Sequence, residues 1–402
     1  MNNLGRIGLA AASLLAFAAF EQGSQVTAAG GPSEASNAPY RVLAPIQSGN
    51  LLLFPVVRAY GKSPGETPFI TLDEGIKSGE VEVTEAGRVQ GLVRPRATDQ
   101  NSRRYPDPVQ NSYRADQVNT LVLVNNSSRP LLLLAGEIVT GGKQDRVIAK
   151  DRIVPVGASP IDLGVFCIEP GRWTESSATF GAAAKAPAHG FMVQPTVRER
   201  AMVQKDQQQV WDSVRGAISQ MAVAAAPPTG GGRPPTASSF GTTSYAKVME
   251  SNAVSDKVDE AAAPVMKSRD QVLAKLREQH AVGVIVAVRG EIVWADLFAN
   301  TELLARYWTK LVRSYAAESL TNGEIHTAPA VTDAQHFLDA PTGGTETSAG
   351  SLGVYRYREL KSSGASTFVL ESLLPETGYD VHISKMKLRN PDNPVPRPQI
   401  YR

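Results

Sequence analysis

From Tyr40 onwards the apolar positions fall in short runs broken by Pro and Gly, the rhythm of strands rather than of helices: YRVLAPI at 40–46 and NLLLFPVVRAY at 50–60. FITLDEGIKSG, 69–79, reads as a strand end leading into a short helix, and EVEVTEAG, 80–87, alternates with period two. Leu121 to Val124 and Leu131 to Leu134 flank a polar turn at Asn125 to Arg129, which predicts a hairpin, and the unbroken leucines of its second arm imply burial on both faces. RIVPV and IDLGVFCIEPGRW continue the sheet. After Pro195 the period changes to that of a helix. Val197, Val203, Val210, Val214, Ile218 and Met221 predict one long amphipathic helix over Thr196 to Met221, with a polar stretch at Lys205 to Gln209. RDQVLAKLREQH is a further helix, and VGVIVAVRGEIVWADLF is two apolar runs around a tight turn at Arg289 and Gly290. Asn300 stands where it can cap a helix with Leu304, Trp308, Leu311 and Tyr315 on one face, widened by Leu303, Tyr307 and Val312.

LGVYRYREL, STFVLESLL and YDVHISKMK alternate as strands, whereas TAPAVTDAQHFLDAPTGGTETSAG, 327–350, reads as loop. Strands, then helices, then strands, without a βαβ rhythm, predict an α+β fold: a mostly antiparallel or mixed sheet, a few packed amphipathic helices and long disordered insertions. The insertions are an almost wholly polar stretch at 94–119 and a Pro, Gly and Ser rich one at 224–243. They interrupt a single domain over 40–388, and a Pro-rich tail occupies 389–402.

The start of the chain has the layout of an export signal over residues 1–28. Arg6 precedes an apolar run from Ile7 to Phe20, and Val26 to Ala28 offers a small-residue cleavage site. That run is shorter than the roughly 20 residues of a membrane span; an uncleaved anchor is the alternative reading. No later run is long and apolar enough to span, so the expectation is a mature chain without a transmembrane segment, secreted or periplasmic. A lone cysteine, Cys167, excludes an internal disulfide and reads as a small buried apolar residue. With 41 Lys and Arg against 39 Asp and Glu the net charge is +2, which gives no field for nucleic acid. The local cations of the 94–119 stretch, Arg94, Arg96, Arg103, Arg104 and Arg114, come with Tyr105 and Tyr113 but with no stacking platform.

Candidate chemistry concentrates in GGKQDRVIAKDR, Gly141 to Arg152, which sets six charged residues around one short apolar segment. Read as one extended strand, it puts Asp145, Val147, Ala149 and Asp151 on one face, with its two Asp-Arg pairs roughly 20 Å apart. A bend at Gly141-Gly142 would instead carry Glu137 back towards Gln144, Asp145 and Arg146. Glu169, Arg172 and Trp173 stand just past another apolar strand. The expected ligand-binding set is therefore Glu137, Lys143, Gln144, Asp145, Arg146, Glu169, Arg172 and Trp173. In it the glycine amides and the cations would meet an anion and Trp173 would stack on a flat ligand. The alternative is that these charges pair among themselves at a strand edge. The phosphate-loop spacing fails, because five residues separate Gly136 from Gly142-Lys143 and Gln144 follows the lysine. No Gly-x-Ser-x-Gly elbow occurs, and His189, His280, His326, His336 and His382 show no metal spacing, so no cofactor is expected.

The motifs GEIVTGGKQDR and VFCIEPGRW, with NLLLFPV, ITLDEGIKSGEVEVTE, VIVAVRGEIVWADLF and YWTKLVRSYA, resemble the ARG and rhodanese-phosphatase-superfamily-associated protein domain family over roughly 50–317. The family pattern falls here on Gly136-Glu137, Lys143 to Arg146, Cys167, Glu169 and Gly171 to Trp173. The resemblance implies an association with ADP-ribosylglycohydrolases and rhodanese-like phosphatases, and no assigned activity. Three readings follow: a binding or scaffold module for an anionic small molecule or a partner protein; a hydrolase with Glu137 and Glu169 as acid and base, or with Asp145 assisting a metal-bound water; and a structural envelope protein tethered by its linker and tail.

Overall fold

Unbroken apolar runs become strands that feed two cores at once. In β3 (Leu51–Arg58), Leu51, Leu53 and Val57 enter the largest hydrophobic cluster while Leu52, Phe54 and Val56 enter another on the opposite face. β13 (Ala281–Val288) does the same with Val284, Val286 and Val288 against Ile285 and Ala287. These two strands lie at the heart of a nine-stranded sheet. It also holds β1 (Tyr40–Val42), β2 (Ile46–Ser48), β14 (Glu291–Phe298), β15 (Thr345–Ser351), β16 (Tyr355–Lys361), β17 (Ala365–Ser372) and β18 (Asp380–Lys387). Its order is β1-β3-β13-β14-β18-β17-β16-β15 with β2 beside β3, every pair antiparallel. The turn between β13 and β14 sits at Arg289 and Gly290, as the sequence predicts.

A closed barrel is formed by β5 (Val81–Glu85), β6 (Thr120–Asn125), β8 (Ile138–Gly141), β9 (Arg146–Ile148), β11 (Ile161–Cys167) and β12 (Thr179–Gly181). Val83, Leu121, Leu123, Val139, Leu163, Val165 and Phe180 fill it. Beside it β4 (Ile70–Thr71), β7 (Leu131–Leu133) and β10 (Arg152–Val154) form a small sheet, with β4 and β7 parallel. The architecture is α+β with antiparallel and mixed sheets. The computed structural model describes residues 39–388 apart from 61–63, 66, 86–119, 172–175, 178, 182–189, 227–236, 267–268, 321–324, 342–343, 363 and 376. The expected signal segment and the tail lie outside the described residues, as do the whole of the expected insertion at 94–119 and residues 227–236 of the one at 224–243, whose end holds a short 3-10 helix at Ala237–Phe240.

Eight α-helices are described: α1 (Leu72–Ser78), α2 (Pro195–Glu199), α3 (Gln207–Ala224), α4 (Tyr245–Glu250), α5 (Asn252–Met266), α6 (Arg269–Glu278), α7 (Thr301–Ser319) and α8 (Val331–Asp339). Thr71 and Glu74 close a capping box on α1, and Asn300 Oδ1 accepts from Leu303 N at 2.9 Å to start α7. From Leu303 to Glu318, α7 is buried on nearly every side except at Arg306. Its charged residues therefore face protein, and each must find a partner there. Among the described residues no helix is long and apolar enough to cross a membrane.

Three sequence expectations are corrected. Leu121–Val124 and Leu131–Leu134 are not arms of one hairpin: β6 pairs with β5 and β11 in the barrel, and β7 with β4 and β10 outside it. The leucine run is nonetheless buried on both faces, Leu131 and Leu133 in the barrel cluster and Leu132 and Leu134 in the main core. The long helix after Pro195 is broken. A π-helical turn at Arg200–Gln204 ends at Lys205 with φ +53°, and Asp206 caps a new helix by accepting from Gln209 N at 2.8 Å. Finally, the segment read as loop holds α8 and β15. Their polar composition hides them, because α8 buries only one narrow face around Ala334, Phe337 and Leu338, and β15 is an edge strand.

Candidate functional site

The backbone does double back at the paired glycines. β8 and β9 are antiparallel neighbours, Ile138 opposite Val147 and Val139 opposite Arg146, so the segment 142–145 is the hairpin turn. Gly142 takes φ +48°, and a Cβ there would lie 2.2 Å from the Phe180 ring, so only glycine fits. Within the turn most polar groups have a nearby partner. Asp145 accepts from Gly141 N at 3.1 Å and from the Ser244 hydroxyl at the start of α4, and Gly142 N donates to Ser177 Oγ at 3.1 Å. The two amides expected to meet an anion thus meet the chain's own oxygens. Glu169 Oε2 accepts from Asp145 N at 3.2 Å, Gln144 Nε2 donates to the Glu169 carbonyl at 3.0 Å, and Arg146 donates to the Gln144 carbonyl at 2.6 Å. Gln144, Asp145, Arg146 and Glu169 are all buried, whereas Lys143 is exposed with its amide donating to Glu85 Oε1 at 3.0 Å. Arg172 and Trp173 lie outside the described residues.

Glu137 goes elsewhere. It is fully buried at the foot of the hairpin, where its Oε2 accepts from Leu134 N at 2.7 Å and its Oε1 meets Lys310 Nζ of α7 at 2.6 Å. Lys310 also pairs with Asp73 of α1. Burial works against the Lys310 ammonium, but the two carboxylates overcome it and hold its pKa well above the ordinary lysine value. Two carboxylates share this one cation, and desolvation pushes the Glu137 carboxyl up against the pull of Lys310.

The stretch 145–152 is not one strand. β9 ends at Ile148 in the barrel, Ala149 N turns to the Gly164 carbonyl at 3.1 Å, and β10 begins at Arg152 in the small sheet. The break sends Asp151 inward. Its Oδ1 accepts from Ala135 N at 2.7 Å, and its Oδ2 lies 2.6 Å from His382 Nδ1 on β18. The other ring nitrogen of His382 is 3.1 Å from Asp296 Oδ1 on β14, and Asp296 Oδ2 meets Arg198 of α2 at 2.9 Å and the Tyr315 hydroxyl. Arg198 lies 4.5 Å above the centroid of the Trp294 ring and passes close to Gly136, whose φ is +95° and where a Cβ would meet Arg198 Cδ at 2.8 Å. Desolvation disfavours charge on His382, yet Asp151 and Asp296 prevail and raise its pKa to about 9. Burial likewise pushes Asp296 up, but Arg198 and His382 hold its carboxyl far below the usual carboxylate range. The arrangement is a chain of alternating charge, Asp151, His382, Asp296, Arg198, closed to solvent along its length.

A further buried acid, Glu318 of α7, accepts from Gln194 Nε2 at 3.0 Å and Thr196 N at 3.1 Å. Cys167 is buried, and desolvation, partly offset by Arg146, pushes its thiol up to about 11, so it carries no thiolate at neutral pH. Among the described residues no group of three or more His, Cys, Asp or Glu is arranged to hold a metal ion.

A family model matches residues 39–386, the whole of this sheet, barrel and helix assembly; its description is ARG and Rhodanese-Phosphatase-superfamily-associated Protein domain, ARPP-1. The chain belongs to the ARPP-1 family. Searches of curated proteins and of solved structures gave no match. The ARPP-1 fold thus brings Gln144, Asp145, Arg146 and Glu169 together and sends Glu137 to a separate centre. Sequence reasoning missed Asp73, Arg198, Asp296, Lys310, Tyr315, Glu318 and His382. The signal was there in part: Asp296 interrupts the apolar run IVWADLF, and Lys310 stands in YWTKLV, where a solitary charge inside an apolar pattern marks a buried ion pair.

Proposed function

We propose that this ARPP-1 chain is an exported binding module, without turnover of its own, that presents the turn 141–145 to an anionic ligand. What carries the reading is the division of labour in the turn: Gln144, Asp145, Arg146 and Glu169 are buried and bonded to one another or to the backbone, while Lys143 is the exposed residue of the turn, its amide held by Glu85. Such a turn is rigid before any ligand arrives, which lowers the ordering cost of binding. In this reading Lys143 makes the contact, with Arg172 and Trp173 contributing as the sequence suggests, and Glu137 anchors the hairpin to α7. The hydrolase reading has less support. A general acid and base must reach a substrate, and Glu137 is fully buried against Lys310 while Glu169 accepts from the Asp145 amide. Export rests on the layout of residues 1–28.

The test is a thermal-shift screen with nucleotides, ADP-ribose, sugar phosphates and acidic glycans. A ligand at about 100 times its dissociation constant stabilises by roughly 2.7 kcal/mol, and Lys143→Glu is expected to abolish the shift. No shift with any anion, a shift indifferent to Lys143→Glu, or steady hydrolysis of a screened compound would each remove the proposal.

A further inference from the structure

The two edges of the nine-stranded sheet are treated differently. At β1 the outward backbone groups are occupied: Val42 N donates to Gln335 Oε1 at 2.8 Å, and Gln335 Nε2 donates to the Tyr40 carbonyl at 3.1 Å. Helix α8 thus supplies a side chain that closes that edge. The opposite edge is β15, TETSAGS, paired with β16 along its whole length from Thr345 opposite Lys361 to Ser351 opposite Tyr355, without a register shift. Among the described residues no strand pairs with its outer side. An antiparallel strand turns the N–H and C=O of alternate residues away from its neighbour, so β15 offers a row of donors and acceptors to whatever lies beyond. Sheet edges are ordinarily blunted by lysine, proline, bulges or shortness. β15 has seven residues, no proline, no cation and no bulge, and its one charge is Glu346.

We propose that a second copy of the chain pairs its own β15 here, antiparallel across a two-fold axis at Ser348. The sequence is self-complementary in that register. Glu346 of one copy faces Gly350 of the other, Thr347 faces Ala349, Thr345 faces Ser351, and Ser348 faces itself, so no like charges oppose and no large side chain obstructs. Moving the axis to Glu346 would set two carboxylates against each other, whereas the axis at Ser348, the central residue, keeps them apart and pairs all seven residues of the strand. The two sheets then run on as one across the axis, and the exposed edge disappears from both copies.

Sedimentation of the full chain over a concentration series, with amide exchange on the same samples, tests this. The expected result is a monomer–dimer equilibrium in which amides of 345–351 become protected as concentration rises. Ser348→Lys, which places two ammonium groups on the axis, is expected to raise the dissociation constant about fivefold or more. An equimolar mixture of Ser348→Lys and Ser348→Glu chains should restore association as a heterodimer. A chain that stays monomeric up to its solubility limit overturns the proposal. So does a dimer that gives 345–351 no protection or that ignores Ser348→Lys. Should a variant fail to fold, exchange on the unaltered chain still decides, since it needs no substitution.

Discussion

The hairpin turn at 141–145 and the relay around His382 are built from the same residue types, yet they spend their charges differently. In the turn many of the partners are close along the chain: Asp145 reaches back to the Gly141 amide and Arg146 to the Gln144 carbonyl. Its charges satisfy backbone groups and fix a shape. In the relay, Asp151, Arg198, Asp296 and His382 come from four distant elements and satisfy one another in the fully buried interior. Those charges join the region next to the barrel to the large sheet. Losing a turn contact therefore costs local shape, whereas losing a contact of the relay, or of the clamp that Lys310 makes with Glu137 and Asp73, strands a charge away from water.

The largest effect is expected at the clamp. Lys310→Met leaves Glu137 and Asp73 without their cation and should cost about 3–5 kcal/mol in urea unfolding; a companion Glu137→Leu change should recover much of it. A loss under about 1 kcal/mol for the single variant would mean that the clamp contributes little.

Titration comes next. The His382 pKa is raised in the folded state, so its contribution is complete below its unfolded value near 6.5 and is lost as pH climbs through about 9. Between those limits the decline should be on the order of 3 kcal/mol, and His382→Phe should flatten it. Asp296 runs the other way. Its carboxyl is depressed, so its contribution stands above the ordinary carboxylate pKa and disappears only as pH falls well below that range.

At the turn, Asp145→Ala removes the acceptor of the Gly141 amide and the Ser244 hydroxyl, both part of the same small centre. The expected loss is about 1–3 kcal/mol in the same unfolding measurement, smaller than at the clamp. The smallest effect on stability belongs to Lys143→Glu, within about 0.5 kcal/mol because the side chain is exposed, while ligand binding is lost. A large destabilisation by Lys143→Glu would place that lysine among the structural charges instead.

What the sequence made legible follows the same division. Strands with long apolar runs, such as β3 and β13, and the capped helix α7 could be read because their patterns are local, and so could the bend at Gly141-Gly142. The resemblance to the family was carried by motifs that the fold places in the barrel, in α1, in β3, β13 and β14, and in α7. Pairing across distance was not legible. The leucines at 131–134 announce burial on both faces, but nothing beside them says that β7 leaves the barrel for a parallel partner, β4. His382 lies in an ordinary strand pattern, and its two carboxylates stand 231 and 86 residues away. Polar elements were hidden for a different reason. The β15 strand and helix α8 have little apolar surface to reveal them, since one is an edge and the other buries a narrow face.

The most direct test of inward-facing structural charge is the protonation state of His382. Nitrogen-15 spectra of the folded chain at pH 7.5 should show both ring nitrogens protonated, the state in which each donates to one carboxylate, with titration only near pH 9. A neutral ring at that pH, with one nitrogen bare, would contradict the alternating chain of charge and the structural role assigned to it.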